Sequence, residues 1–267
     1  MKDLPPKRFT SLEGQGIAYA VAGEGSPAIV FINGAGGPMQ GWYRLFPGVS
    51  ALGQVVLYDR PGAGGSGKPC VPQTSAHAVQ LLRGLLREAG IPAPYILVAH
   101  SFGGLHANLF ARLHPQEVAG VLFLEATAPD DVGTMKQHAG ILQKLINGLL
   151  NALSRPDPNG EVANEAHSVA QIAAAPAFPD IALTVLSGGK TAPGWISNPA
   201  AQEVRTRNQL ALAALSPHGE RIVAPGSGHF PQMSEPQLVI EAIAGLVETV
   251  RRRAADKDAR AAAHPGT

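Results

Sequence analysis

Short runs of apolar residues, many of them β-branched, alternate with longer amphipathic runs along most of this chain of 267 residues. Clear apolar runs lie at residues 28–32, 55–58, 95–99 and 118–124. Strands with no polar position are typical of a parallel sheet that is covered on both faces. The intervening segment 75–89 carries its apolar residues at helical spacing. The alternation therefore predicts an α/β fold, with a mostly parallel sheet and helices on both faces.

Eight strands are expected in this sheet when an opening hairpin and two later runs are added to the four apolar runs. The additional strands are predicted at residues 8–12, 16–22, 181–186 and 220–223, and the main helices at 75–89, 103–114, 201–215 and 236–252. Hydrophobic residues make up 45% of the chain, which is sufficient for a substantial core in a domain of this size.

Residues 129–179 interrupt the alternation. A helix is predicted at 132–153, and it is followed by a segment rich in Pro, Asn and Ala in which no strand is evident. An insertion of this kind into an α/β sheet most simply forms a small helical lid over the strand ends. The expected organisation is therefore one core domain, formed by residues 1–128 and 180–267, with a lid at 129–179.

The charge and the cysteine content argue against several classes of function. There are 21 Lys and Arg against 20 Asp and Glu, so no strong field would recruit nucleic acid or an anionic membrane. No apolar stretch is long enough for a transmembrane helix, and the N-terminus lacks an apolar signal region. The single cysteine, Cys70, cannot form an intramolecular disulfide. A cytoplasmic protein is expected, without membrane insertion or a nucleic-acid partner, and the oligomeric state stays open.

The sharpest local signal is a serine, Ser101, placed directly between a predicted strand and a predicted helix. The sequence reads YILVAHSFGG from residue 95 to residue 104. Such a bend strains the backbone, so the residues two before and two after the serine, here Ala99 and Gly103, must be small. The serine then stands at a helix N-terminus, where backbone N–H groups favour developing negative charge. A turn that merely caps the helix is the alternative interpretation.

Four segments, in order, resemble the α/β-hydrolase superfamily over about residues 15–250. They are NGAGG at 33–37, VVLYDRPGAGGSG at 55–67, YILVAHSFGG at 95–104 and GSGHF at 226–230. The resemblance implies an α/β-hydrolase fold and a serine esterase- or lipase-like enzyme. In such an enzyme Ser101 would be the nucleophile, and His229, in the loop after the last strand, would be its general base. The superfamily's haloalkane dehalogenases and epoxide hydrolases use Asp at the position of Ser101.

The third member of such a catalytic set is a carboxylate that orients the imidazole and stabilises its charged form. Family members most often carry this acid after the seventh strand, but residues 187–193 (SGGKTAP) contain none. A second arrangement in the superfamily places the acid after the sixth strand, where Glu125 directly follows an apolar run. Burying an isolated carboxylate is unfavourable unless it is paired, which favours Glu125 as the triad acid. Asp130 and Asp131 are the alternatives.

The resemblance also implies two backbone donors for the oxyanion of the reaction, the N–H groups of Phe102 and Ala35. Ala35 lies in the loop after the strand at 28–32, where Asn33-Gly34 replaces the usual His-Gly of the superfamily. The candidate substrate pocket consists of Asn33, Gly34, Trp42 and, on the predicted lid helix, Leu145 and Leu149.

The glycine-rich stretch after Asp59 and Arg60 permits two other interpretations. Residues 62–68 (GAGGSGK) satisfy both the phosphate loop of NTPases and the dinucleotide-binding fingerprint. Pro69 stands where the phosphate loop needs Ser or Thr, and residues 69–74 cannot begin a helix that would receive a pyrophosphate. Nucleotide binding is therefore not expected, and Asp59 and Arg60 are interpreted as structural. No metal is expected either, since the sequence contains no metal-ligand motif.

The expected activity is acyl transfer to water, most simply on a small to medium hydrophobic carboxylic ester and without a cofactor. Lactones, amides and carbon–carbon bonds next to a carbonyl use the same catalytic set and are alternatives. A non-catalytic binding protein on the same fold is a further alternative. The sequence does not choose among these substrates.

Overall fold

The computed structural model describes residues 4–132, 159–190 and 199–263 of the chain. Its centre is a single sheet of eight strands, and each strand lies within about two residues of its predicted position. The strands are β1 (Arg8–Leu12), β2 (Gln15–Ala22), β3 (Ala28–Ile32), β4 (Val55–Tyr58), β5 (Tyr95–His100), β6 (Val118–Leu124), β7 (Ala182–Gly188) and β8 (Gly219–Ala224).

The sheet is mostly parallel, as predicted. The strands lie in the order β1-β2-β4-β3-β5-β6-β7-β8. Only β2 breaks the parallel arrangement of these pairs, because it runs antiparallel to both β1 and β4. Every residue of β3, β4 and β5 is buried, which explains why these strands contain so few polar side chains. Because parallel strands end at the same edge, the loops after β3, β5, β6, β7 and β8 come together there.

Helices cover both faces of the sheet. On one face, Leu85 and Phe110 share a core cluster with Val30 of β3. On the other face, Ile243 packs in a second cluster with Phe31 of β3. The described helices are α1 (Phe46–Val49), α2 (Ser75–Glu88), α3 (Gly103–Leu113), α4 (Glu165–Ala174), α5 (Pro199–Ala213), α6 (Pro231–Ser234) and α7 (Pro236–Ala263). Within the described ranges, no helix is both long and apolar enough to cross a bilayer.

Two helices differ from the sequence-based expectation. Helix α7 continues to Ala263, well beyond the predicted end at residue 252. Residues 251–263 contain neither Gly nor Pro and are rich in Ala and Arg, so their helix propensity favours continuation of the helix. Helix α4 was not predicted, because a mixture of Ala, Ser and His gives little apolar periodicity. The predicted lid helix at 132–153 lies almost entirely outside the described residues, so the lid stays a prediction.

Candidate active site

Ser101 occupies a strained bend between β5 and α3. Its φ is +51°, a left-handed conformation that residues other than glycine rarely adopt. The bend is held because the Ser101 N–H donates to the carbonyl of Leu124 at 3.2 Å, and the Ser101 carbonyl accepts from the Thr127 N–H at 2.9 Å. Strain of this kind persists only where the surrounding structure fixes it, and it is common at functional sites. The predicted strand–turn–helix around Ser101 is therefore present.

The bend leaves no room for a side chain at Gly103. A Cβ there would lie 2.5 Å from the carbonyl oxygen of Asn33 and 2.6 Å from that of Ile32. Both atoms belong to the backbone, so neither moves aside easily. We expect Gly103→Ala to lower the free energy of unfolding by about 2 kcal/mol, measured by urea denaturation. The control is Gly245→Ala in α7, where a Cβ meets nothing within 4 Å and the substitution should be neutral or stabilising. Equal stability of the two variants would contradict the steric argument.

Three side chains that are distant in the sequence meet at the carboxyl edge of the sheet. Ser101 Oγ lies 3.0 Å from His229 Nε2. On the other side of the imidazole, His229 Nδ1 lies 3.5 Å from Glu125 Oε2. Glu125 is buried, whereas 26% of the His229 side chain is exposed, so a substrate can approach the imidazole and the hydroxyl. The structure therefore brings together the hydroxyl, the imidazole and the carboxylate that the sequence analysis expected to form one catalytic set.

Glu125 is held in place by hydrogen bonds to β7, the strand that pairs with β6. It directly follows β6 and has a φ of +46°, again in the left-handed region. Its N–H donates to the carbonyl of Leu186 in β7 at 2.7 Å, and its Oε1 accepts a hydrogen bond from the N–H of Gly188. A buried carboxylate requires such partners. The contacts leave Oε2 directed at the ring of His229.

His100 supports the loop that carries His229. The ring of His100, the residue directly before Ser101, does not hydrogen-bond the serine hydroxyl. Its Nε2–H instead donates to the carbonyl oxygen of His229 at 2.8 Å, and the two rings lie 4.9 Å apart. Burial, and then the charge of a protonated His229, lower the pKa of His100 to about 3, so its ring stays neutral. The hydrogen bond from His100 therefore fixes the backbone of His229.

Arg205 lies against the same carboxylate, although the sequence analysis did not single it out. Helix α5 brings its guanidinium into contact with Glu125 Oε2, the oxygen that also faces His229. Burial, and then the positive charge of Arg205, lower the pKa of His229 to about 4. The imidazole is therefore neutral, and able to accept a proton, through most of the acidic range. No sequence signal distinguishes Arg205 from Arg207 on the same helix, since only the fold shows which one reaches Glu125.

The loop after β3 packs directly on the serine. A Cβ at Gly34 would lie 3.1 Å from Ser101 Cβ, so glycine is needed for this close approach. Ala35 follows it and is partly exposed, whereas Asn33 is buried. Phe102, the residue after the serine, is also buried, and α3 begins immediately after it. The predicted oxyanion donors thus lie on the two segments that flank Ser101.

The other predicted site residues lie elsewhere. Trp42 was predicted to line the substrate pocket, but it is 1% exposed and packs against Phe31 with a centroid distance of 4.8 Å. It therefore belongs to the core. Leu145 and Leu149 lie outside the described residues.

The carboxylate of Asp131, an alternative acid, contacts groups other than the imidazole of His229. Asp131 Oδ2 accepts from the N–H of Ala128 at 2.7 Å, and Oδ1 accepts from the side-chain amide of Asn208 at 2.6 Å. These bonds tie the segment after β6 to helix α5. Among the described residues, no group of three or more His, Cys, Asp or Glu side chains is arranged to hold a metal ion.

Comparison with known proteins identifies the family of this fold. The profile of the alpha/beta hydrolase fold matches residues 27–211, more than half of the chain. The chain belongs to this family. The matched range includes Ser101 and Glu125, and the loop with His229 follows it. The eight-stranded sheet with helices on both faces agrees with this assignment and with the fold predicted from sequence.

Individual relatives resemble the chain over part of its sequence or in fold. A haloalkane dehalogenase of Sphingobium indicum is 30% identical over 131 residues, which cover 48% of this chain and 44% of that protein. The chain spans less than half the length of the curated relatives it matches. A thermophilic esterase from Thermogutta terrifontis has a TM-score of 0.64 at 20% identity, covering 92% of this chain and 99% of that one. Est816, an N-acyl homoserine lactone degrading enzyme, has a TM-score of 0.62 at 22% identity, covering 89% and 99%.

Proposed function

We propose that the protein is a serine hydrolase that transfers the acyl group of a small to medium hydrophobic carboxylic ester to water. The observation that carries this proposal is the 3.0 Å separation of Ser101 Oγ and His229 Nε2, with Glu125 Oε2 3.5 Å from the opposite nitrogen. A serine hydroxyl is a weak nucleophile unless a base lies within hydrogen-bond reach and is itself oriented by a third group. The two distances at this site support both conditions.

In the proposed reaction, His229 Nε2 takes the proton of Ser101 as the serine oxygen attacks the ester carbonyl. Glu125 fixes the tautomer with Nδ1–H and stabilises the imidazolium that forms. The N–H groups of Phe102 and Ala35 bind the oxyanion. His229 then protonates the leaving alcohol, and water repeats the same steps on the acyl-enzyme to release the acid. The sequence of steps needs no cofactor.

Lactones are the second candidate substrates, because they are cyclic esters and react by the same steps. This candidate is supported by the likeness in fold to Est816, an N-acyl homoserine lactone degrading enzyme. The serine at position 101 supports carbonyl substrates, since its attack on a carbonyl gives an ester intermediate that water can cleave.

The proposal is tested by covalent labelling and by a substrate panel. A fluorophosphonate probe should label the intact protein, and peptide mapping should place the label on Ser101. The panel contains p-nitrophenyl esters of increasing acyl length, lactones and anilides, and we expect the highest kcat/KM for esters of short to medium length. Absence of both labelling and turnover, beside a control esterase that is labelled, would favour a non-catalytic binding protein.

The lowered pKa of His229 gives a pH prediction. A general base must be neutral, so kcat/KM should hold as the pH falls below 6.5, the ordinary pKa of histidine, and be lost as the pH passes through about 4. Arg205→Gln removes a positive charge beside the imidazole and should move this acid limb to higher pH. The matched control is Arg207→Gln, an exposed residue of the same helix, which should leave the limb in place. An identical limb in the two variants would show that Arg205 does not set the basicity of His229.

A further inference from the structure

A buried cluster of polar side chains lies against the loop that follows β3. Arg60, which follows β4, is 5% exposed, Glu161 is 8% exposed and His106 of α3 is 2% exposed. Arg60 Nη2 donates to Glu161 Oε2 at 3.1 Å, and Arg60 Nε contacts Glu161 Oε1. Glu161 comes from the segment between β6 and β7 that was predicted to form a lid. Charged side chains are almost never buried to this degree unless they are paired.

Arg60 also holds two successive carbonyl groups of that loop. Its Nη1 donates to the carbonyl oxygen of Asn33 at 2.9 Å, and its Nη2 donates to that of Gly34 at 2.8 Å. A guanidinium presents its N–H groups in a fixed planar fork, so one side chain can bind two carbonyls and a carboxylate together. The Gly34 carbonyl also accepts from the Gly37 N–H at 3.1 Å, which closes a tight turn.

The bond from Arg60 to the Gly34 carbonyl determines where the next N–H points. In a trans peptide the C=O of one residue and the N–H of the next lie on opposite sides of the C–N bond. Holding the Gly34 carbonyl toward Arg60 therefore directs the Ala35 N–H to the other side. This peptide lies beside the serine, because a Cβ at Gly34 would be 3.1 Å from Ser101 Cβ and 3.6 Å from Ser101 Oγ.

We propose that Arg60 and Glu161 are positioning residues that aim the Ala35 N–H at the oxyanion, an inference that rests on the proposed serine-hydrolase function. Arg60 acts through the carbonyls of Asn33 and Gly34. Glu161 acts through Arg60, so the segment between β6 and β7 contributes a buried group to the geometry of the reaction as well as any cover over the site.

Glu161 is fixed on its second side by a histidine. His106 Nε2–H donates to Glu161 Oε1 at 3.1 Å, and His106 Nδ1 accepts from the hydroxyl of Ser75 at 2.9 Å. Burial alone would raise the pKa of Glu161, but the charge of Arg60 and the hydrogen bonds from His106 and Arg60 hold this pKa well below its usual range. The carboxylate is therefore ionised at neutral pH and balances the buried guanidinium. Glu161 also lies 3.4 Å, through Oε2, from the N–H of Gly36.

The test compares an ester with its thionoester, in which sulfur replaces the carbonyl oxygen. Sulfur is larger and a poorer hydrogen-bond acceptor, so the ratio of the two kcat/KM values reports on the oxyanion donors. Removing one such donor typically lowers kcat by about 10²- to 10³-fold. A donor that points in the wrong direction should therefore cause a sizeable part of this loss. We expect Arg60→Lys, which keeps the charge but not the fork, to lower the ester-over-thionoester ratio by about tenfold. Glu161→Asp, which keeps the charge but withdraws the carboxylate, should lower it in the same direction.

The matched control is Arg83→Lys. Arg83 makes a similar two-point contact with Glu117, with Nε to Oε2 at 2.8 Å, but this pair lies near the surface and away from Ser101. The control should leave the ratio unchanged, and thermal denaturation should show that each variant is folded. A loss of stability alone would not change the ratio, because both substrates meet the same folded enzyme.

The outcomes separate this inference from the proposed function. If the wild-type protein hydrolyses the ester but neither Arg60→Lys nor Glu161→Asp changes the ratio by more than twofold, the positioning role is overturned and the serine-hydrolase function stands. If the wild-type protein is neither labelled by a fluorophosphonate nor active on the ester, the proposed function fails, and the positioning role fails with it. A lowered ratio in both variants, with an unchanged ratio in Arg83→Lys, supports the proposal.

Discussion

Ser101→Ala is expected to lower kcat for a p-nitrophenyl ester by about 10⁵- to 10⁶-fold, because no oxygen remains to form the acyl-enzyme. His229→Ala should have an effect of similar size, since the hydroxyl at 3.0 Å from its Nε2 would lose its base. The two residues act as one unit, so the double variant should be little worse than either single variant. Initial rates with a soluble ester, measured at saturating substrate, provide the comparison.

Matched controls for these two variants exist elsewhere on the chain. Ser50→Ala removes a hydroxyl that donates only locally, to the carbonyl of Pro47 at 3.2 Å. His218→Ala removes a surface imidazole, 42% exposed, that pairs with Asp180 at 2.9 Å. Both controls should retain wild-type kcat within about twofold. A Ser101→Ala protein that still turned over the ester at more than one hundredth of the wild-type rate would place the nucleophile elsewhere.

Glu125→Gln is expected to lower kcat by about 10³- to 10⁴-fold in a folded protein. The amide keeps the shape of the carboxylate but loses the charge that stabilises the imidazolium, and its NH₂ group can turn the imidazole to the wrong tautomer. The effect should fall on kcat more than on KM, because the lost interaction strengthens only when His229 carries a proton. Circular dichroism and urea denaturation should show that the variant is folded.

Glu117→Gln is the control for this substitution, since Glu117 pairs with Arg83 in a half-buried contact near the surface and away from Ser101. Its kcat should match that of the wild type. If Glu125→Gln kept kcat within tenfold of the wild type, the acid of the catalytic set would be another residue, and the contact of Arg205 with Glu125 would then be a structural ion pair.

The sequence predicts the sheet and the bend at Ser101 well, because buried strands must be apolar and a tight bend requires small residues. Residues 28–32 and 96–99 have no polar side chain, as a strand covered on both faces requires. The small residues Ala99 and Gly103 follow from the steric limits of the bend. Glu125 stands out because an acid after a fully apolar strand needs a partner.

Other parts of the site are not marked by any such sequence pattern. Arg205 and Glu161 lie on segments of mixed composition, and only the fold brings them to Glu125 and Arg60. The pairing of His100 with the His229 carbonyl depends on a contact between residues far apart in sequence. Trp42 was predicted to line the pocket, but its large aromatic ring packs against Phe31 and fills the core.

The attachment of Glu125 to β6 has a consequence for how this protein could change. β6 pairs directly with β5, with Ala99 opposite Phe123 and His100 opposite Leu124. The distance between Ser101 and Glu125 is therefore set by the spacing of two adjacent strands. The segment after β7, residues 189–198, carries none of the proposed reacting groups. Changes of sequence within 189–198 therefore leave all three proposed reacting groups as they are, because the serine and the acid belong to the β5–β6 pair and the histidine follows β8.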